Sequence, residues 1–310
     1  MEVIITIIPI FAIIILGWGA RKKSFITPEF LEPANRLVYY LSIPAMVFIS
    51  IARSSFHDQF DGKVLSLTLL AATGIYSTAF IFTRIVKMDP ARAGSFVQSS
   101  GHGNVGYIGL PIAFYYLGDS GLAKAAIIAG FMMLLHNLLS VAALQLHDTS
   151  GKGLLGFKPM IIKLMGNPVI ISAMTGIAVS WLEIPIPRVI DRSLDILGGM
   201  APPMALLLIG ASISIKLMLK YLRPMLGVLI LKLLLLPAGG LLLFSLFHLR
   251  AEDYLPALIL LCSPTATVAY IMAREMHGDA EFTAAAISTS TLFSSITFIL
   301  CLAAVSHLAI

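Results

Sequence analysis

The 310-residue chain is 58% hydrophobic and 12% charged, with a mean hydropathy of +0.93, against about 25% charged residues in an ordinary soluble domain. Those values exclude a soluble enzyme or binding module and describe a polytopic membrane protein. The net charge of +5 does not point to nucleic acid, because the basic residues sit in short loops between apolar runs; Cys262 and Cys301 both fall inside such runs and suggest neither a disulfide framework nor a metal cluster.

Ten runs have the roughly 17 to 25 apolar residues that a bilayer crossing requires. They lie near Val3 to Ala20, Ala34 to Ile51, Val64 to Val86, Gly94 to Leu117, Leu122 to Leu146, Ile161 to Leu182, Leu194 to Ile215, Pro224 to Leu249, Leu255 to Met276 and Phe282 to Leu308. The first begins MEVIITIIPIF without a basic leader and reads as a membrane span, not a cleaved signal. The longest connection, His147 to Met160, is only a loop. Odd-numbered loops carry thirteen Lys and Arg, even-numbered loops six. By the positive-inside rule both termini are expected on the non-cytoplasmic side.

The fourth run is interrupted. GHGNVGYIGLP, Gly101 to Pro111, places four glycines and a proline in eleven positions, the two poorest helix formers, in mid-membrane. Backbone groups freed there are tolerated only against protein or a watered cavity, which is how a binding site is built.

The halves of the chain also repeat. Pro9, Gly17 and Pro44 recur as Pro168, Gly176 and Pro203, each displaced by 159 positions; Val105 and Tyr107 recur as Val268 and Tyr270, displaced by 163; Gly118 and Asp119 recur as Gly278 and Asp279, displaced by 160. This predicts an all-α fold of ten transmembrane helices in two five-span units, residues 1–150 and 151–310. Five is odd, so the second unit is inverted. Displacement by 163 carries Gly101–Asn104 onto Pro264–Thr267, within SPTATVAY, so spans four and nine are both expected to break at mid-membrane and to cross there. Asn104 and Thr267 then stand where the second half-helices begin, and both residue types favour N-caps. With amide N–H groups and dipoles aimed at one place, the crossing is suited to a carboxylate. Capping alone is the plainer reading of the pair.

These residues resemble a known family. GNVGYIGLP, PTATVAYIMAREMHGD, PAMVF at Pro44 to Phe48 and PPMALLLIGASI at Pro202 to Ile213 are similar to the signature segments of the auxin efflux carrier family, which includes plant auxin exporters and bacterial malate and malonate permeases. The resemblance covers essentially the whole chain. It implies a scaffold of spans one, two, six and seven and a transport core of spans three to five and eight to ten. It implies substrate contact at Gly103, Asn104, Val105, Gly106, Pro264, Thr265 and Thr267, with Pro44 and Pro203 lining the scaffold side, and a homodimer through the scaffold. The long central loop of many plant members is absent, and their phosphorylation control is not expected here.

Four ionisable residues are candidates for coupling or gating. His102 lies in the break, where it would take up a proton or bond a freed carbonyl. Lys232, nine residues into span eight from Arg223, would either snorkel to the surface or act as a buried counter-charge. Arg274 and Glu275 end span nine as rim anchors or a gate. His136 and Asn137 are read as interhelical hydrogen-bonding groups.

The expected function is secondary transport of a small organic carboxylate by alternating access, in a plasma membrane of the bacterial inner type. No cofactor, metal or nucleic-acid partner is expected; the partners are the anion, membrane lipid and a coupling ion, H+ or Na+. The alternatives are a sodium-coupled symporter of the bile-acid carrier type and an anion channel or sensor. An intramembrane enzyme is not expected: HExxH, GxSxG and paired membrane carboxylates are missing from the sequence.

Overall fold

The computed structural model describes residues 2–147 and 166–308, and the regular structure in them is helical. The start of the sixth apolar run, and the preceding loop with Lys152, Lys158 and Lys163, lie outside the described residues. In chain order the helices are α1 (Glu2–Lys22), α2 (Pro28–Leu37), α3 (Ile43–Ala52), α4 (Phe56–Gln59), α5 (Gly62–Ile85), α6 (Pro90–Gly101), α7 (Leu110–Gln145), α8 (Pro168–Trp181), α9 (Arg188–Gly199), α10 (Ala201–Ala211), α11 (Ile215–Lys220), α12 (Leu222–Leu229), α13 (Leu236–Leu246), α14 (Ala251–Leu261), α15 (Val268–Glu275) and α16 (Ala280–Leu308). Gly118 interrupts α7 with φ 69° and ψ −164°.

Among the described residues seven helical stretches are long and apolar enough to cross a membrane: Val3–Lys22, Pro28–Ala52, Gly62–Ile85, Val105–Gln145, which Gly118 divides, Arg188–Ala211, Leu222–Leu246 and Ala280–Ser306. The difference from ten apolar runs has three parts: the described part of the sixth run is the 14-residue Pro168–Trp181, below spanning length, and the other two lie at breaks. The fourth and ninth runs are cut after Gly101 and after Leu261, which leaves α6, α14 and α15 below spanning length. The 41-residue stretch Val105–Gln145 takes in the rest of the fourth run and all of the fifth. Large apolar side chains such as Ile5, Ile8, Leu16, Leu226, Leu234 and Leu300 point outward. In water they would form patches larger than a monomer tolerates; in hydrocarbon they are the lipid-facing surface.

The chain groups into two compact units. The first comprises Met1–Gly62, Val105–Met133 and Ile162–Ser212. Its helices approach through glycine. A Cβ on Gly17 would lie 2.1 Å from the Leu207 carbonyl oxygen, and one on Gly210 would lie 1.9 Å from the Ile14 carbonyl oxygen, so α1 and α10 meet backbone to backbone, the small-residue packing that replaces hydrophobic pressure inside lipid. Asn167 caps α8 by accepting from Val169 and Ile170 N–H. At the edge Arg53 holds Asp191 and Asp195 at 2.8 and 2.9 Å; the Asp191 hydrogen bonds raise the guanidinium's pKa.

The second unit comprises Lys63–Asn104, Leu134–Ile161 and Ile213–Ile310. Here α16 packs against α6, α11, α12 and α15, and α13 against α14. Every residue of α6 from Ala93 to Gly101 is buried, as is α14 from Pro256 to Leu261.

Three widened π-turns punctuate the helices, at Val38–Ser42, Val105–Gly109 and Ile230–Leu235. Each is followed by a proline two residues on: Pro44, Pro111 and Pro237. Proline has no N–H for the carbonyl four residues earlier, and a loosened turn accommodates the orphan. In the third case the orphan, Leu233 C=O, accepts the Thr297 hydroxyl at 3.1 Å.

Candidate functional site

Both broken segments belong to the second unit. α6 ends at Gly101, capped by His102 N–H to Gln98 C=O at 2.8 Å, and the chain then extends. α14 ends at Leu261 and gives way to Cys262–Thr267. The two extended pieces pair as an isolated antiparallel bridge between Gly103 and Thr265. Asn104 N–H donates to Pro264 C=O at 2.7 Å, and Ala266 N–H donates to His102 C=O at 2.9 Å. Two backbone groups released by each break are therefore satisfied by the other. Thr265 locks the pair: its N–H donates to Ser290 Oγ at 3.0 Å and its hydroxyl to Ser99 C=O at 2.8 Å.

Gly103 is required by crowding. A Cβ there would lie 2.7 Å from Ser263 Oγ, 3.0 Å from Lys232 Nζ and 3.4 Å from His136 Cε1. Gly101 is equally confined, with the Tyr76 ring 2.3 Å from where its Cβ would be.

Lys232 does not snorkel. It is fully buried within the third π-turn, and its ammonium donates to Gly101 C=O at 3.1 Å. Beside it runs a polar chain in which Tyr76 Oη lies 2.9 Å from Ser140 Oγ and 3.2 Å from the His136 carbonyl it donates to, while Ser140 Oγ lies 2.9 Å from His102 Nδ1. The rings of His102 and His136 are 5.3 Å apart. Neither ring nitrogen of His136, nor either side-chain polar atom of Gln98, nor the Ser99 and Ser100 hydroxyls, has a hydrogen-bond partner among the described residues. Buried polar atoms left in that condition are rare in native proteins. Gln98, Ser99 and Ser100 at the end of α6, with His136 of α7, form a buried polar cluster inside an apolar frame.

The remaining candidates separate. Pro264 and Thr265 are buried at the bridge, and Asn104 is 4% exposed there. Thr267 starts α15 in helical geometry, φ −63° and ψ −31°, and its hydroxyl makes no capping bond, so residue preference alone misjudged its local role. Val105 and Gly106 open the second π-turn and, with Pro44 and Pro203, belong to the first unit. Pro203 is at the second position of α10, where a missing N–H costs nothing. Arg274 and Glu275 are exposed at the end of α15, with Arg274 5.9 Å from the Tyr270 ring. They lie one helix length beyond the bridge, at the far end of α15. Nearby, Arg92 pairs with Asp279 at 3.4 Å. Among the described residues no group of three or more His, Cys, Asp or Glu is placed to hold a metal.

Sequence reasoning missed Tyr76, Ser140 and Ser263. The one available signal was QSSGHGN itself, a polar run at membrane depth that needs partners from other helices.

The fold is that of a multi-pass integral membrane protein with a polar cluster buried in its interior. The chain belongs to the membrane transport protein family, the auxin efflux carrier family, whose model matches residues 2–302. It is 23% identical over 300 residues to a protein of Rhizobium meliloti (strain 1021) named "Putative malonate transporter", covering 94% of this chain and 92% of that one. It is also 23% identical over 304 residues to an uncharacterized transporter of Methanocaldococcus jannaschii, with 95% of both covered, and 21% identical over 294 residues to an uncharacterized transporter of Methanothermobacter thermautotrophicus.

Proposed function

We propose that this transporter is a secondary carrier of a small organic carboxylate, bound where Gly101–Asn104 meets Pro264–Thr267. The observation that carries the reading is the reciprocal pairing of two broken segments, each followed directly by a helical start, at Val105 and at Val268. Amide N–H groups and the positive ends of helix dipoles attract a carboxylate without a salt bridge. Asn104 supplies the side-chain hydrogen bond, and Thr267 flanks the second start.

In this reading the ten apolar runs form two inverted five-span repeats, the bridge is the crossing of spans four and nine, and the anion is exposed to one side of the membrane at a time. Malonate, the substrate in the name of the Rhizobium relative, is the first anion to try. Both termini face outward from a bacterial inner membrane, and the protein assembles as a homodimer.

Purified protein in proteoliposomes tests the site through uptake of labelled malonate, malate and other carboxylates. Asn104→Ala and Thr267→Ala are expected to reduce uptake at least about tenfold, the loss of roughly 1.4 kcal/mol or more of binding. Parent-like uptake in both variants would remove the site from the crossing. A cysteine at Ser54 should react with an impermeant reagent added outside intact cells, and one at Lys87 should be protected; the reverse pattern overturns the orientation.

A further inference from the structure

Lys232 is the one fully buried lysine or arginine among the described residues. No Asp or Glu is hydrogen-bonded or ion-paired with it there. The sequence makes this thorough: Pro90 to Leu117, Ile213 to Arg250, Tyr254 to Arg274 and Phe282 to Leu308 contain no Asp or Glu at all. What faces the ammonium instead is the Gly101 carbonyl, the Gly103 backbone and, around that same glycine, Ser263 Oγ and the His136 ring. An isolated ammonium is costly to bury, so something must compensate it.

The helix ends supply the compensation. α6 and α14 both stop at the bridge with their carbonyl ends inward, and each such end carries about half a negative charge. The pair amounts to about one unit, which one ammonium neutralises. The two helical starts that leave the bridge carry about half a positive charge each, which one substrate carboxylate neutralises. In a carrier coupled to a metal cation, the carbonyl ends are where the cation would gain most, assisted by acidic oxygen ligands. Here the acids are missing and a lysine already occupies the place.

We propose that Lys232 is a tethered cation that substitutes for a transported one, so that anion binding at the bridge proceeds without sodium. This rests on the carrier reading above and removes Na+ from its two candidate coupling ions. It makes Lys232 a positioning residue: its ammonium holds the Gly101 carbonyl at the end of α6 and thereby places the backbone that leads to Asn104.

Two measurements on the full-length protein test it. The first needs no substrate: thermal unfolding of the parent in NaCl, LiCl and choline chloride at equal ionic strength. Equal midpoints are expected. A rise of about 3 °C or more in NaCl, the size that binding of a specific ion gives, overturns the proposal. Lys232→Gln is expected to unfold at lower temperature and to gain a Na+- or Li+-dependent rise that the parent lacks; a folded variant with no gain also overturns it. If that variant does not fold, the parent's response decides.

The second is labelled malonate uptake with Na+ replaced by choline. The parent is expected to keep its rate within about twofold, Lys232→Gln to lose about tenfold or more, and Lys232→Arg, which keeps the charge, to retain most of it. A parent that stops in choline, or a Lys232→Gln variant as fast as the parent, overturns the inference. If the parent moves no carboxylate in either salt, the carrier reading has failed, and the unfolding series still judges Lys232 on its own.

Discussion

Gly103→Ala is the most informative single change, because it adds one methyl group at the bridge itself, between Ser263 and Lys232. The new carbon would lie 2.7 Å from Ser263 Oγ and 3.0 Å from Lys232 Nζ, where about 3.5–4.0 Å is comfortable for a non-bonded carbon contact. Ser263 Oγ is held by Leu260 C=O at 2.6 Å and Lys232 Nζ by Gly101 C=O at 3.1 Å, so neither retreats freely. Overpacking of this kind costs about 1–3 kcal/mol, and displacing the ammonium from its carbonyl adds about 1.5–3 kcal/mol where it occurs. The expected destabilisation is about 2–4 kcal/mol, measured by SDS titration of the protein in mixed micelles. Removing the nearer clash tests the cause. In Gly103→Ala combined with Ser263→Ala, about 1 kcal/mol should return relative to the sum of the single changes, the coupling expected of touching residues. Additive costs, or a Gly103→Ala protein within about 0.5 kcal/mol of the parent, the range of a neutral surface change, would refute the packing argument.

Tyr76→Phe removes the hydroxyl that reaches Ser140 and the His136 carbonyl, and should cost about 1–2 kcal/mol in the same titration, with Ser140→Ala partly redundant to it. Gly210→Ala forces a Cβ into the Ile14 carbonyl; backbone must separate from backbone, and the expected loss of about 3 kcal/mol or more should appear as failed folding on expression. Arg53→Gln breaks the half-exposed pairing with Asp191 and Asp195. It should lower stability by at most about 1 kcal/mol, and the difference from the parent should shrink in about 1 M salt, where screening acts within roughly 3 Å.

The two breaks were legible because glycine, proline and a polar run at membrane depth contradict their own surroundings. QSSGHGN and SPTATVAY violate both hydropathy and helix propensity, and the structure pairs them directly. The direction in which Lys232 points was not legible. Sequence gives its distance from the helix end, and that distance allows either a surface or an interior head group; the choice depends on rotation within a π-turn that only Pro237 hints at. Tyr76 and Ser140 left no trace for a different reason: hydroxyls are common in membrane helices, where most bond their own backbone, as Thr73 and Thr78 do here. Thr267 shows the limit of residue preference, since a favoured cap residue takes that role only if the preceding backbone is extended, and at Thr267 it is helical. The fourth and ninth runs do not stand as unbroken helices because hydropathy measures length in sequence and does not register an interruption.

The π-turn at Ile230–Leu235 makes α12 and α13 sensitive to length in a way they are not to side-chain identity. Each residue of an α-helix advances the face by about 100°, so losing or gaining one residue between Leu222 and Lys232 would swing the ammonium from the interior toward lipid. Leucines in this stretch can exchange with other apolar residues at small cost. A single-codon deletion or insertion, by contrast, would silence the protein while leaving its composition and hydropathy almost unchanged.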